Sequence, residues 1–193
     1  MIAEYAKHTV SLMTGAKKAV VAQSPRSQIA RFGRSTLYRY KSPAKNRKTT
    51  PVLLVYALVN KPTILDLLPG RSVVETLLKE GRDVFLLDWG EPAQEHAGMG
   101  LKEHVLGTLH KTVEGVCREA KKKKTALVGY CMGGTLSVLY TALRPSKVER
   151  LFVMAAPIAG RISDGAVHTF SHPKFFNAGV NGLVPADVFA FGF

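Results

Sequence analysis

Cysteine is scarce in this chain. Cys117 and Cys131 are the only two among 193 residues, too few for a disulfide framework, and no Cys-x-x-Cys pair offers a metal or redox site. Ligand-type residues do not cluster at a usable spacing, so neither a metal nor an organic prosthetic group is expected. Long hydrophobic runs are missing too. The longest, Pro51 to Val59, is far shorter than the roughly 20 residues that span a bilayer. Glu4, Lys7, His8, Lys17 and Lys18 interrupt the N-terminus before any signal-like stretch develops. The expectation is a cytoplasmic protein with no membrane-spanning segment. Acid is nearly absent from the first fifty residues, where Glu4 stands against eleven bases and supplies a local charge of +10 out of +13 overall. Such an arm attracts an anionic surface, a nucleotide-bearing substrate or an acidic partner, or simply keeps the protein soluble. Nucleic acid is a weak choice, because aromatic residues are not regularly interleaved with the bases.

What is present is the balance of one globular domain, with 46% hydrophobic and 21% charged residues. A helix is expected over residues 2–22, ended by the Ser24-Pro25-Arg26-Ser27 punctuation, then a short strand over 36–40 and a loop over 41–50. The run from Pro51 reads as a strand covered on both faces. A short helix over 72–80, stopped by Gly81, leads to a second buried strand over 83–87. Leu101, Val105, Leu109, Val113, Val116 and Ala120 recur at three- to four-residue intervals, predicting one long helix over 101–120 with Cys117 as an ordinary buried thiol. The Lys121 to Lys124 cluster complements the end of that helix and needs no binding role. A third strand over 125–129, a helix over 135–143 and a fourth strand over 148–155 follow. This alternation predicts an α/β fold with a mostly parallel, doubly wound sheet and helices on both faces. Residues 1–50 would form a basic extension, 51–160 the core, and 161–193 the start of a cap or lid.

The segment Gly129-Tyr130-Cys131-Met132-Gly133-Gly134, between a predicted strand and a predicted helix, is a nucleophile elbow with cysteine as the nucleophile. Such a turn holds its nucleophile at positive φ, while the flanking glycines let strand and helix approach without side-chain clash. Cys131 would project at the carboxyl end of the sheet, where open α/β folds bind ligands. The free N–H groups and positive dipole end of the next helix would favour negative charge on its sulfur. Met132 N–H is placed to donate to an oxyanion, and the second donor is expected from the loop around Val59 and Asn60. A thiol exchanges one thioester for another at little net cost, which suits acyl transfer from a thiol carrier. The bland reading of the same turn is a tight strand-to-helix bend with an inert buried cysteine.

Four ordered motifs carry a family resemblance: Tyr56-Ala57-Leu58-Val59-Asn60-Lys61-Pro62, Asp83 to Gly90 (Asp-Val-Phe-Leu-Leu-Asp-Trp-Gly), the elbow itself, and Tyr140-Thr141-Ala142-Leu143-Arg144-Pro145. Together they resemble the short catalytic subunit of two-component polyhydroxyalkanoate synthases, most of all the Bacillus type, from about Thr36 to the end. The resemblance implies an α/β-hydrolase fold. It also implies an acyltransferase that takes hydroxyacyl groups from hydroxyacyl-coenzyme A onto Cys131 and passes them to a polyester chain. A second synthase subunit, homo-oligomerisation and residence at the polyester granule surface are implied as well. Asp88 and Trp89 match a family motif and are read as strand-end scaffold.

Elbow enzymes order their triad as nucleophile, acid, histidine, the last two on loops after later strands. Only one clear strand follows Cys131, so no catalytic Asp or His is found in this chain. His168, His172, Asp164 and Asp187 read as loop or cap residues, and His96, His104 and His110 as surface groups. The chain is therefore expected to be truncated and inactive or weakly active alone. Two alternatives stand beside the synthase: a cysteine-elbow hydrolase of the dienelactone hydrolase or thioesterase type, and a non-catalytic remnant that binds a granule or a partner.

Overall fold

The computed structural model describes residues 21–42 and 50–158. The cap expected over 161–193 lies outside them, with Asp164, His168, His172 and Asp187. So does the helix expected over 2–22, except for Val21 and Ala22, which are not helical.

Within the described residues a six-stranded sheet forms in the order β1-β2-β6-β3-β7-β8. Strands β3 (Val52–Val55), β6 (Val84–Asp88), β7 (Thr125–Tyr130) and β8 (Val148–Met154) run parallel. Each was expected from its apolar run, within a few residues at either end. The hairpin of β1 (Arg26–Phe32) and β2 (Ser35–Tyr40) adds two antiparallel strands against β6. Strand β2 was foreseen and β1 was not, because Arg26, Ser27, Gln28 and Arg31 give it the polar pattern of an edge. Within the basic extension, Arg26–Phe32 and Ser35–Tyr40 therefore belong to the sheet. Gly33, at φ +61°, takes the first central position of the two-residue loop that joins them, the geometry of a type II′ hairpin.

Side chains alternate across a strand, yet Val84, Phe85, Leu86 and Leu87 are all fully buried, as are Leu53, Leu54 and Val55. Both faces of the sheet are thus covered at its centre. A short antiparallel pair, β4 (Asp66–Leu68) and β5 (Arg71–Ser72), precedes α1 (Val73–Lys79), which packs beside β6. Ser72 caps α1: its hydroxyl accepts from Glu75 N–H at 3.0 Å and donates to the buried Asp66 carboxylate at 2.6 Å. The long helix expected over 101–120 is divided. Glu103–Leu109 winds as a π-helical segment and α2 (His110–Glu119) continues from it. Val105, Leu109, Val113 and Val116 are buried as predicted, but Leu101 is 64% exposed, because the wider winding rotates the first turn off the stripe. Cys117 lies on that stripe, buried, and burial pushes its thiol pKa up. Helix α3 (Met132–Leu143) packs on β7 and β8 and touches α2 through His110 and Tyr140.

Arg39 ties the hairpin to the core. Its guanidinium donates to both Asp83 oxygens at 2.9 and 2.7 Å, reaches Glu119 at 2.8 Å and stacks over Phe85. The Asp83 hydrogen bond, chiefly, raises its pKa.

Candidate active site

Strand β7 delivers the chain to Cys131 and α3 begins at Met132, so the sulfur stands at the bend the sequence predicts. Cys131 has φ +53° and ψ −130°, a conformation outside the ordinary L-residue regions. Two features hold it there. Its N–H donates to Met154 O on β8 at 2.9 Å, and Gly134 N–H returns to Cys131 O at 2.8 Å. The bend closes only because three neighbours lack side chains. A Cβ on Gly129 would come 2.5 Å from Gly134 Cα; one on Gly133 would come 2.5 Å from Tyr56 O and collide with Val55 O; one on Gly134 would come 2.6 Å from Ala156 Cβ. The end of β3 therefore lies directly against the first turn of α3.

Cys131 is a free, half-buried thiol, in contrast with Cys117. Met132 is 38% exposed, and as the first residue of α3 its N–H has no partner within the helix. Beyond Tyr56, residues 57–60 turn, so Val59 and Asn60 lie four and five residues past Val55, the last residue of the strand whose end abuts the elbow. Asn60 N–H donates to Ala57 O at 3.4 Å, while Val59 is 45% exposed.

The rim beside the elbow is organised by Tyr56, Asp88 and Trp89. Trp89 Nε1 donates to Tyr56 O at 2.8 Å; Tyr56 hydroxyl donates to Asp88 Oδ1 at 3.0 Å and accepts from Trp89 N–H at 3.2 Å; Gly90 N–H donates to the same carboxylate oxygen at 3.0 Å. Burial, with the nearby Asp88 charge second, pushes the tyrosine pKa up, so it stays a neutral donor. Asp88 and Trp89 thus act as the strand-end scaffold the sequence implied. Tyr56, their common partner, was not singled out, although its place at the end of an apolar strand beside an Asp-Trp-Gly strand end was the available signal.

Of the histidines read as surface groups, His104 is interior and His110 is half-buried. His104 is 8% exposed; its Nδ1 lies 2.8 Å from Gly100 O and its ring meets Trp89 edge-on at 5.8 Å. The π-helical winding turns it inward. His110 lies 3.0 Å from Tyr140 hydroxyl, between α2 and α3. His96 packs back on Ala93 in its own turn. Arg34, from the basic segment, reaches this rim: Nη2 is 3.4 Å from His104 Nε2, Nη1 is buried with no partner, and burial holds the guanidinium below its ordinary pKa. Among the described residues no histidine hydrogen-bonds Cys131, and no group of three or more His, Cys, Asp or Glu could hold a metal ion. No described helix is long and apolar enough to cross a membrane.

The alpha/beta hydrolase fold family matches residues 50–177. Poly(3-hydroxyalkanoate) polymerase subunit PhaC of Haloferax mediterranei is 36% identical over 177 residues, covering 90% of this chain and 36% of that protein. The same subunit from Synechocystis is 41% identical over 138 residues, 72% of this chain and 36% of that protein. The chain thus spans a little over a third of the length of these relatives. A solved structure described as a lipase from Sulfolobus solfataricus superposes with a TM-score of 0.52 at 12% identity, over 78% of this chain and 56% of that one, a likeness of fold alone.

Proposed function

Because this chain belongs to the alpha/beta hydrolase fold family and its relatives are poly(3-hydroxyalkanoate) polymerase subunits, we propose that it is the nucleophile-bearing part of an acyltransferase acting on hydroxyacyl-coenzyme A. The observation that carries the reading is Cys131 at φ +53° on the β7–α3 bend, a strained position that a merely structural cysteine does not need. In the proposed step the Cys131 sulfur attacks the thioester carbonyl, the carbon–sulfur bond to coenzyme A breaks, and the departing thiolate takes up a proton. The acyl group, now on Cys131, passes to the hydroxyl end of a growing polyester and frees the thiol.

Met132 N–H would hold the oxyanion from one side. From the residue 57–60 turn, Val59 suits the second donor better than Asn60, whose N–H already serves the turn. Residues that position but do not react are Tyr56, Asp88 and Trp89, which fix the β3 end against the elbow. A general base is worth about 10²–10⁴-fold, so acyl capture by this chain alone is expected to be slow and polymer formation slight. A second synthase subunit, self-association and residence at a granule surface in the cytoplasm belong to the same proposal and rest on the resemblance.

The test is intact-mass spectrometry of the 193-residue chain after incubation with 3-hydroxybutyryl-coenzyme A. A single hydroxybutyryl adduct that maps to Cys131, is released by hydroxylamine and disappears in Cys131→Ala is expected. Absence of any adduct on a folded chain, or an adduct that persists in Cys131→Ala, overturns the reading. Rapid release of free hydroxybutyrate by the parent would assign the site to a hydrolase instead.

A further inference from the structure

Helix α3 runs twelve residues from the elbow, about 18 Å at 1.5 Å per residue, so its far end is remote from Cys131. At that end is an open cleft of about 490 Å³. It is bounded by the last turns of α2, the lysine run that follows, and the Pro145–Lys147 turn after α3. Four cations line it, Arg118, Lys122, Lys123 and Lys147, against one carboxylate, Glu114. We infer that this cleft is a binding site for a soluble anion bearing two or more phosphate groups, separate from the acyl-transfer site.

The charge in the cleft is not neutralised from within. Glu114 is engaged by Lys147 at 2.6 Å. Among the described residues no carboxylate pairs with Arg118, Lys122 or Lys123. Cys117 forms part of the wall, and burial keeps its thiol protonated, so it adds no negative charge. Lysines after a helix are adequately explained by the helix dipole when they point into water. Here Lys122 and Lys123 share a concave wall with Lys147 and Ser146, which arrive from a different segment. Three uncompensated cations on one concave surface repel one another, and an anion that spans them relieves that repulsion. Arg118 supplies a planar fork for one phosphate, and the two lysines supply point charges for its neighbours. No large apolar side chain lines the cleft, which favours a soluble anion over a lipid surface, where an apolar anchor would accompany the charge.

Isothermal titration of the 193-residue chain with sodium tripolyphosphate tests this, beside arms with inorganic phosphate and with phosphatidylcholine vesicles containing phosphatidylglycerol. The expected result is tripolyphosphate binding at least tenfold tighter than phosphate, weakening as sodium chloride is raised. Lys122→Glu/Lys123→Glu should weaken it at least tenfold. Lys61→Glu/Lys102→Glu, the same charge change on exposed residues outside the cleft, should leave it within twofold, as should Cys131→Ala. The basic residues before position 50 are identical in all these proteins, so their attraction for anions cancels. Equal losses in the two charge-reversal variants would mean that only net charge is sensed, and would overturn the site. Binding to the vesicles without binding to tripolyphosphate would overturn it as well.

Discussion

The indole of Trp89 donates to the backbone carbonyl of Tyr56 at 2.8 Å, and that same carbonyl closes the space above Gly133, where a Cβ would come within 2.5 Å of it. One carbonyl oxygen thus links the end of β6, the end of β3 and the first turn of α3. The only tryptophan of the chain therefore bears on the elbow without touching its sulfur. Trp89→Phe keeps most of the buried ring but strands the Tyr56 carbonyl, and a buried acceptor left unmade costs about 1–3 kcal/mol. The expected outcome is a lower urea midpoint with unchanged m, together with slower alkylation of Cys131 in the folded state. Loss of stability with no change in thiol reactivity would confine Trp89 to the core.

The glycines make a sharper comparison. Gly133→Ala places a Cβ against two backbone carbonyls that cannot swing aside, so strand and helix must separate. Overpacking of this kind costs about 1–3 kcal/mol or more. Gly107 has nothing within 4 Å of its absent Cβ and lies in a helical segment. Alanine there should stabilise by about 0.5–1 kcal/mol. Chemical denaturation of the two variants should give shifts of opposite sign.

The central strands were legible in the sequence because burial on both faces forces an unbroken apolar run, as in Val52 to Val55 and Val84 to Leu87. The elbow was legible for a different reason: the bend tolerates no side chain at Gly129, Gly133 or Gly134, so its geometry is written as composition. Edge strand β1 was not legible, because one open edge and four polar residues leave it no periodic signature. Nor was the inward turn of His104, since a 3.6-residue period assigns faces only while the helix keeps that period, and Glu103–Leu109 does not. Arg34 looked like one base in a solvated arm. Its burial follows from the hairpin turn, whose carbonyl packs so closely on Gly90 that a Cβ there would collide with it.

The ion pair between Lys147 and Glu114 gives a pH signature. The lysine hydrogen bond, chiefly, lowers the Glu114 pKa from its usual 4.5. A carboxyl that is more acidic folded than unfolded contributes stability above its unfolded value and loses it as pH falls through the folded one. Both side chains are about a third exposed, so solvent screening keeps the contribution small. Glu114→Gln should accordingly be less stable at pH 7. Its deficit should fade as pH drops below about 4.5, and shrink in 1 M salt, where the Debye length is about 3 Å.

The two cysteines provide an internal control for the site. Both are free, but Cys131 is half-buried at the mouth of the bend while Cys117 is 7% exposed, with burial pushing its thiol up. Reaction with a thiol reagent requires an accessible thiolate, so Cys117 is doubly disfavoured. In the native protein iodoacetamide should label Cys131 at least tenfold faster, as read by peptide mass spectrometry at short times. In urea above the unfolding midpoint the two should approach equal rates, because the difference resides in the fold. If Cys117 labels first in the native state, α2 is opening from the sheet more readily than the elbow is exposed. The packing of Val113 and Val116 of α2 into the core, and of Leu37 against Gly115 of that helix, would then be too weak to hold the nucleophile's scaffold together.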